Sequence, residues 1–378
     1  MPTVLGQSFS RRELARRVGD FSQLFGVELF TYSDGRERSV RVLRFCTGSG
    51  LGFDIMVDRC MDLGGMSFRG VPIGWHSPTG FRSPWLHEVD AEEGLGWLRS
   101  FSGMMNSCGL DHIMGVTEDT AEHYCYPDRA RIVHTLHGRV SYQPARLTGY
   151  GECWEGDRCF LFARGEIRQA AMYGENLILE RQIEVEVGTD TVTFHDRVRN
   201  LGFYPTPHAL LYHINLGWPV VDRQTRLVAP IRSTPFTVHD PQMTDIGPIE
   251  QAEPRSRFFQ QVYEHQVVPE DDGTARAALV NEGFQTPAGE TGLALEIAYD
   301  GRAMPALFQW QNLQEGNYVV AIEPATVHGG SREDWKKRGD LQILEHDDRR
   351  DYRLSITPHA GSADVNALQD RLRLQERS

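Results

Sequence analysis

The run Leu177-Ile-Leu-Glu-Arg-Gln-Ile-Glu-Val-Glu-Val187, followed after Gly188-Thr-Asp190 by Thr191 to Arg199, decides the fold class. Ile183, Val185 and Val187 alternate with Glu184 and Glu186, and Val192, Phe194 and Val198 carry apolar spacing beyond the turn. A period of two places one face on a core and the other in water, so the pair predicts an antiparallel hairpin. Working outward, Val40 to Phe45 and Gly52 to Val57 flank Thr47-Gly-Ser-Gly50 as strand, turn, strand. Further strands are expected over Cys159 to Ile167, Gly292 to Tyr299, Pro305 to Gln311, Tyr318 to Glu323 and Tyr352 to Thr357. Long amphipathic helical windows are scarce. Ser10-Arg-Arg-Glu13 has the form of a capping box, with Leu14 and Val18 at helical spacing behind it. The expectation is a mainly β protein: a large antiparallel β-sandwich, its sheets about 10 Å apart, with a short N-terminal helix. Pro235 to Asp272 is polar and reads as long surface loops. Glycine and proline are spread evenly and no repeat is found, so the chain divides into a helical extension over 1–39 packed on one sandwich domain over 40–378.

The chain has 378 residues, 40% hydrophobic and 24% charged, with a net charge of -13. That charge repels phosphate backbones and anionic membranes, so neither nucleic acid nor a membrane is expected as a partner. Met1 to Gln7 lacks a basic, then apolar, leader, and nowhere do about 18 apolar residues run together. A cytoplasmic protein is the expectation, with a homo-oligomer left open. Cys46, Cys60, Cys108, Cys125, Cys153 and Cys159 form no Cys-x-x-Cys pair, which argues for reduced thiols and against a zinc ribbon.

Three segments carry the chemistry. In Leu210-Leu-Tyr-His-Ile-Asn-Leu-Gly-Trp-Pro219, a strand would put Leu211, His213 and Asn215 on one face and Tyr212, Ile214 and Leu216 on the other. Buried side by side, an imidazole and an amide need a partner or a polar ligand. Leu136-His137-Gly138 places a histidine at the start of a short strand expected over Val140 to Tyr142. Tyr318-Val-Val-Ala-Ile-Glu323-Pro ends an apolar run on a carboxylate, whose burial would raise its pKa toward neutrality. Taken in chain order, Leu136-His-Gly138, His213-Ile-Asn-Leu216 and Ile322-Glu-Pro324 resemble the segments of the galactose mutarotase (aldose 1-epimerase) superfamily. Val57-Asp-Arg-Cys-Met-Asp62, Gly70-Val-Pro-Ile-Gly-Trp75-His-Ser-Pro78 and Asn106-Ser-Cys-Gly-Leu110, with Leu136 to Arg139 and Leu211 to Asn215, resemble more closely a poorly characterised bacterial aldose-epimerase-like family within it.

The resemblance implies a carbohydrate-active isomerase that interconverts anomers of an aldose by ring opening and reclosure. It makes Glu323 the general base and His213 the general acid, with His137 at the ring oxygen. Substrate contacts are expected from Arg59, Trp75, Arg139, Asn215 and Gln309, and Trp218 and Trp310 also lie beside site segments. Arg59 and Arg139 would suit vicinal hydroxyls or an anionic substituent. The aspartate that contacts a sugar hydroxyl in the superfamily has no placed counterpart here, Asp222, Asp240 and Asp245 being candidates without a distinguishing motif. The partner is a small-molecule carbohydrate, and the chemistry needs no cofactor. His134 and His137 lack a third ligand at metal-site spacing, so no metal is expected. The alternatives are a non-catalytic carbohydrate-binding or sensing protein, or an isomerase or lyase acting on an oxidised or acidic sugar.

Overall fold

Every expected β segment except Val140–Tyr142 forms a strand in the computed structural model, which describes residues 1–124, 129–238 and 246–375. The hairpin that opens the reading is Asn176–Glu186 paired antiparallel with Val192–Asn200. It lies inside an eight-stranded sheet whose order is 146–155, 158–170, 176–186, 192–200, 349–360, 291–300, 274–285 and 225–228. A second, seven-stranded sheet runs 231–238, 261–267, 306–312, 319–325, 206–216 and 342–344, with 105–110 also paired to 206–216. A five-stranded sheet holds 26–31, 41–46, 51–56, 62–68 and 71–72. The strand Gly26–Thr31, within the 1–39 extension, pairs with Arg41–Cys46. One continuous core joins all three sheets, through side chains such as Ile183 and Phe194, Tyr212 and Ile322, and Phe53 and Leu63. The expected β-sandwich is therefore the architecture observed.

The capping box forms as expected: Ser10 Oγ accepts from the Glu13 amide, Glu13 caps the Ser10 amide, and the helix spans Arg11–Ala15. The longest helix, however, is C-terminal, Ser362–Gln375, and the sequence reading did not anticipate it. Val365, Leu368 and Leu372 form a narrow stripe on it, packing on Ala278, Val280 and Ala294 at one end of the eight-stranded sheet. Two other expectations are corrected. Val140–Tyr142 is a single 3-10 turn. Pro235 to Asp272 is not all loop, because Ile231–Val238 and Gln261–Val267 pair within the seven-stranded sheet. The second of these strands reads as polar because Gln261, Glu264 and His265 are buried in it, so burial and polarity part company there. Among the described residues, no helix is long and apolar enough to cross a membrane.

The layers are locked by a buried cation. Arg181, on the hairpin, donates Nε to Asp196 Oδ1 (2.9 Å) and Nη2 to Asp196 Oδ2 (2.6 Å) within its own sheet. Its Nη1 reaches Asp62 Oδ1 of the five-stranded sheet at 2.7 Å, and Nη2 reaches Ser107 Oγ of the seven-stranded sheet at 2.8 Å. Tyr212 OH closes the network on Asp196 Oδ2 at 2.7 Å. Burial pushes Asp62 up to about 6 even though Arg181 pulls it down. Removing one partner of a buried ionic group strands the others without solvent. Arg181→Met is therefore expected to lower unfolding stability by roughly 3–5 kcal/mol. Denaturant unfolding checks this, and a midpoint unchanged from the native protein would mean the network is not what holds the layers.

Candidate active site

Strands Thr206–Leu216 and Val319–Ala325 are antiparallel neighbours, and the register Ile214↔Ile322 puts His213 directly opposite Glu323. The pleat divides the residues as alternation requires. Leu210, Tyr212, Ile214 and Ile322 enter the inter-sheet core, while Leu211 joins a second apolar cluster on the opposite face with Trp75, Trp97, Phe101 and Phe308. On that face His213 and Glu323 form the floor of a cavity of about 740 Å³. His213 Nε2 lies 3.2 Å from Glu323 Oε1, yet that oxygen has no aligned hydrogen-bond partner in the protein.

The tautomer of His213 follows from its neighbour. Asn215 Nδ2 donates to the carbonyl oxygens of Gly103 (2.9 Å) and His213 (3.1 Å), which can only accept, so its Oδ1 is the atom 2.6 Å from His213 Nδ1. The proton in that contact sits on Nδ1, and a neutral imidazole then presents an unprotonated Nε2 to Glu323. Burial favours the uncharged form of every group here. It pushes Glu323 up to about 8, and it drives His213 well below the usual histidine range, helped by His137. His137 itself is lowered to about 3 by burial and by His112. The site thus rests as a carboxylic acid beside an imidazole free to accept a proton.

His137 reaches the cavity from a tight turn in which it has φ +57° and Gly138 φ +73°. A side chain at Gly138 would collide with the carbonyls of Gly109 and His112, which is why the Leu-His-Gly segment needs its glycine. The His137 ring stands 5.5 Å from that of His213, and its buried Nδ1 has no partner. Trp97, Phe101 and Trp310 surround His213 at ring distances of 5.9, 4.9 and 5.4 Å.

Of the residues singled out from sequence, the structure brings His137, His213, Glu323, Trp75 and Trp310 to the cavity. Asn215 stands behind His213 as its hydrogen-bond partner. Gln309 does not arrive: Phe308 and Trp310 take the cavity face, so Gln309 points into the sandwich and accepts from His265 Nε2 at 3.0 Å. Arg59 is fully buried and gives its guanidinium to the carbonyls of Arg82, Ser100 and Ser102, fixing the segment that presents Phe101. Arg139 pairs with Asp90 at 3.0 Å outside the cavity lining. Trp218 is 70% exposed and does not line the cavity. His134 turns to Asp111, 3.4 Å away, and among the described residues no three His, Cys, Asp or Glu converge on a metal position. Asp222 accepts from the Gln224 amide in a turn, whereas Asp240, Asp245 and Cys125 lie outside the described residues. Trp97 and Phe101 were missed because Gly96–Arg99 is an irregular 3-10 turn with no periodicity to mark its inward face.

A family model described as a domain of unknown function, DUF4432, matches residues 37–357. The chain belongs to that family. Its fold is shared with solved structures. A candidate aldose 1-epimerase from Klebsiella pneumoniae superposes with a TM-score of 0.80 at 24% identity, covering 94% of this chain and 90% of that one. Galactose 1-epimerase from Lactobacillus acidophilus gives 0.53 at 11% identity, over 89% and 99% of the two chains. A galactose mutarotase-like protein from Clostridium acetobutylicum gives 0.51 at 12%, over 88% and 98%. No match is found among curated proteins. The DUF4432 chain therefore has the galactose mutarotase-like fold, as the sequence resemblance implied.

Burial of Glu323 has a measurable signature. Its folded pKa of about 8 lies above its ordinary 4.5, so as pH rises between these values the unfolded chain releases the proton first and the native protein loses stability. Glu323→Gln removes this slope. Relative to the native protein the variant is expected to gain melting temperature progressively from about pH 4.5 to about 8, then to keep a constant advantage. Parallel melting curves across that window would place the Glu323 pKa at its ordinary value.

Proposed function

We propose that this protein interconverts the anomers of an aldose or aldose derivative by opening and reclosing the hemiacetal ring through the His213–Glu323 pair. One observation carries the reading: a buried carboxyl oxygen without an aligned partner stands 3.2 Å from an imidazole nitrogen whose tautomer leaves it unprotonated, both on the floor of a cavity walled by tryptophans. Glu323 gives its proton to the ring oxygen as the bond from C1 to that oxygen breaks, and His213 Nε2 takes the proton of the C1 hydroxyl, leaving an aldehyde at C1. After rotation about C1–C2 the freed hydroxyl adds to the other face of the aldehyde. Glu323 recovers its proton from that hydroxyl, His213 returns its own to the carbonyl oxygen, and the pair ends as it began.

The sequence assigned Glu323 as base and His213 as acid. That assignment describes the same pair after one proton has moved between its members. Burial of both groups favours the uncharged arrangement, so ring opening starts with Glu323 as donor. Asn215 acts as a positioning residue, holding the Nδ1 proton so that Nε2 remains the acceptor. His137 offers a neutral hydrogen-bonding group to a sugar hydroxyl, and Trp97 and Trp310 offer flat faces to the C–H side of a ring. A non-catalytic binding protein would share those walls; what favours catalysis is a carboxylic acid beside an imidazole nitrogen that can accept a proton.

Glu323→Gln keeps the shape and removes the transferable proton, so kcat/KM for anomer exchange is expected to fall by roughly 10²- to 10⁴-fold while sugar binding persists. Anomer-exchange NMR and tryptophan quenching measure the two separately, and full activity in the variant would leave Glu323 a structural residue. The pair must hold one transferable proton. In the native protein kcat/KM is accordingly expected to drop as pH rises past about 8, where Glu323 ionises, and again only at strongly acidic pH, where His213 is protonated. A profile flat from pH 6 to 10 would refute the pair.

A further inference from the structure

Resting on that proposed reading, the lining of the cavity narrows the substrate class. Among the described residues Glu323 is the one acidic side chain that lines it, held as an uncharged acid, and no lysine or arginine does. Outside the described residues, 125–128 and 239–245 contain neither residue type and 376–378 contains Arg377. Arg59 and Arg139, the two cations expected to meet vicinal hydroxyls or an anionic substituent, are committed to backbone carbonyls and to Asp90. A phosphate, sulfonate or carboxylate placed here would be desolvated against aromatic rings and beside Glu323 with no counter-charge, which costs far more than its contacts return.

The mouth is apolar as well. Leu95, Leu98 and Val238 line the cavity while remaining 42%, 50% and 43% exposed, and Phe236 and Val262 lie against the same space. Polar groups that could meet a hydroxyl-rich edge are few and neutral, among them Thr79, Gln260 and Asn312. Exposed aliphatic side chains gathered at a cavity mark a surface that a ligand covers. The volume of about 740 Å³ is in the range that encloses a drug-sized ligand, larger than one pyranose ring fills. With C1 on the floor, the C4 to C6 edge of a pyranose points toward the mouth.

We infer that the substrate is an uncharged reducing sugar whose edge distal to C1 carries an apolar group, a deoxy position or an alkyl or acyl substituent, seated on Leu95, Leu98 and Val238. The test is a panel comprising a free hexose, its 6-deoxy and 6-O-acetyl forms, its 6-phosphate and the corresponding uronate. Each is followed by anomer-exchange NMR and by tryptophan quenching. One methyl group in an apolar pocket is worth about 10- to 200-fold, so the better of the two apolar derivatives is expected to exceed the free hexose in kcat/KM by at least about tenfold. Which of them leads distinguishes a deoxy sugar from an acylated one. The phosphate and uronate are expected at least about 100-fold below the hexose, since an uncompensated charge costs several kcal/mol. Leu98→Lys, a half-exposed change compatible with folding, is expected to narrow the gap between phosphate and hexose by tenfold or more while weakening the apolar derivatives. The inference is overturned if the phosphate or uronate is preferred in the native protein, or if both apolar derivatives match the free hexose in binding and turnover. If no sugar exchanges anomers, the proposed catalysis fails, and the order of binding by quenching still decides the ligand class.

Discussion

The Arg181 guanidinium is the point on which three sheets converge. Its strand belongs to the eight-stranded sheet, and its hydrogen bonds reach Asp62 in the five-stranded sheet and Ser107 in the seven-stranded one. A hydrophobic core alone sets the separation of layers but tolerates sliding, because apolar contact is not directional. Fork-shaped donors that must satisfy two buried carboxylates fix one relative placement. Ser107 also binds Asp62 through its amide, and its strand pairs with that of His213, register Asn106↔His213. The same network that locks the layers thereby anchors the strand carrying the imidazole, and Tyr212 OH, one residue before His213, is tied to Asp196.

On the outer face of that anchored strand the energetics reverse. Inside the sandwich the buried Arg181 is paired with Asp62 and Asp196, whereas Glu323 is buried with no cation beside it and raised to about 8 by desolvation alone. Such a group destabilises the fold as pH rises and is tolerated where its proton is used. The aromatic shell of Trp97, Phe101 and Trp310 keeps the pair out of water, and the Arg59 bonds to Ser100 and Ser102 hold part of that shell in place. Arg59 contributes to the site through the backbone it braces. Asn215 contributes through the tautomer it enforces.

What was legible in the sequence was whatever alternates. The run 177–187 gave its strand and partner correctly, and the odd and even residues of 210–216 fell on the faces that period two assigns. Polarity without alternation misled. Gln309 looked like a ligand group beside Trp310, but adjacent residues in a strand face opposite ways, and it was the tryptophan that reached the cavity. Gln261–Val267 read as loop because its buried polar side chains find hydrogen-bond partners, Gln261 in Tyr263, His265 in Gln309 and Glu264 in His328, leaving no apolar stripe to detect. The C-terminal helix covers its sheet with three aliphatic residues, too narrow a stripe to stand out.

By itself the sequence determined the β-sandwich, because strand periodicity is a property of neighbouring residues, and its resemblance to the mutarotase superfamily singled out His137, His213 and Glu323, which the structure brings to one cavity. Only the tertiary structure decided which charges are free. Arg59 and Arg139 are equally plausible anion binders on paper. Their partners, the carbonyls of Ser100 and Ser102 and the carboxylate of Asp90, come from distant parts of the chain. Burial, and the Gly103 carbonyl that turns the Asn215 amide, likewise act on the His213–Glu323 pair only through the tertiary structure, since desolvation and long-range hydrogen bonding exist only once the sheets have packed.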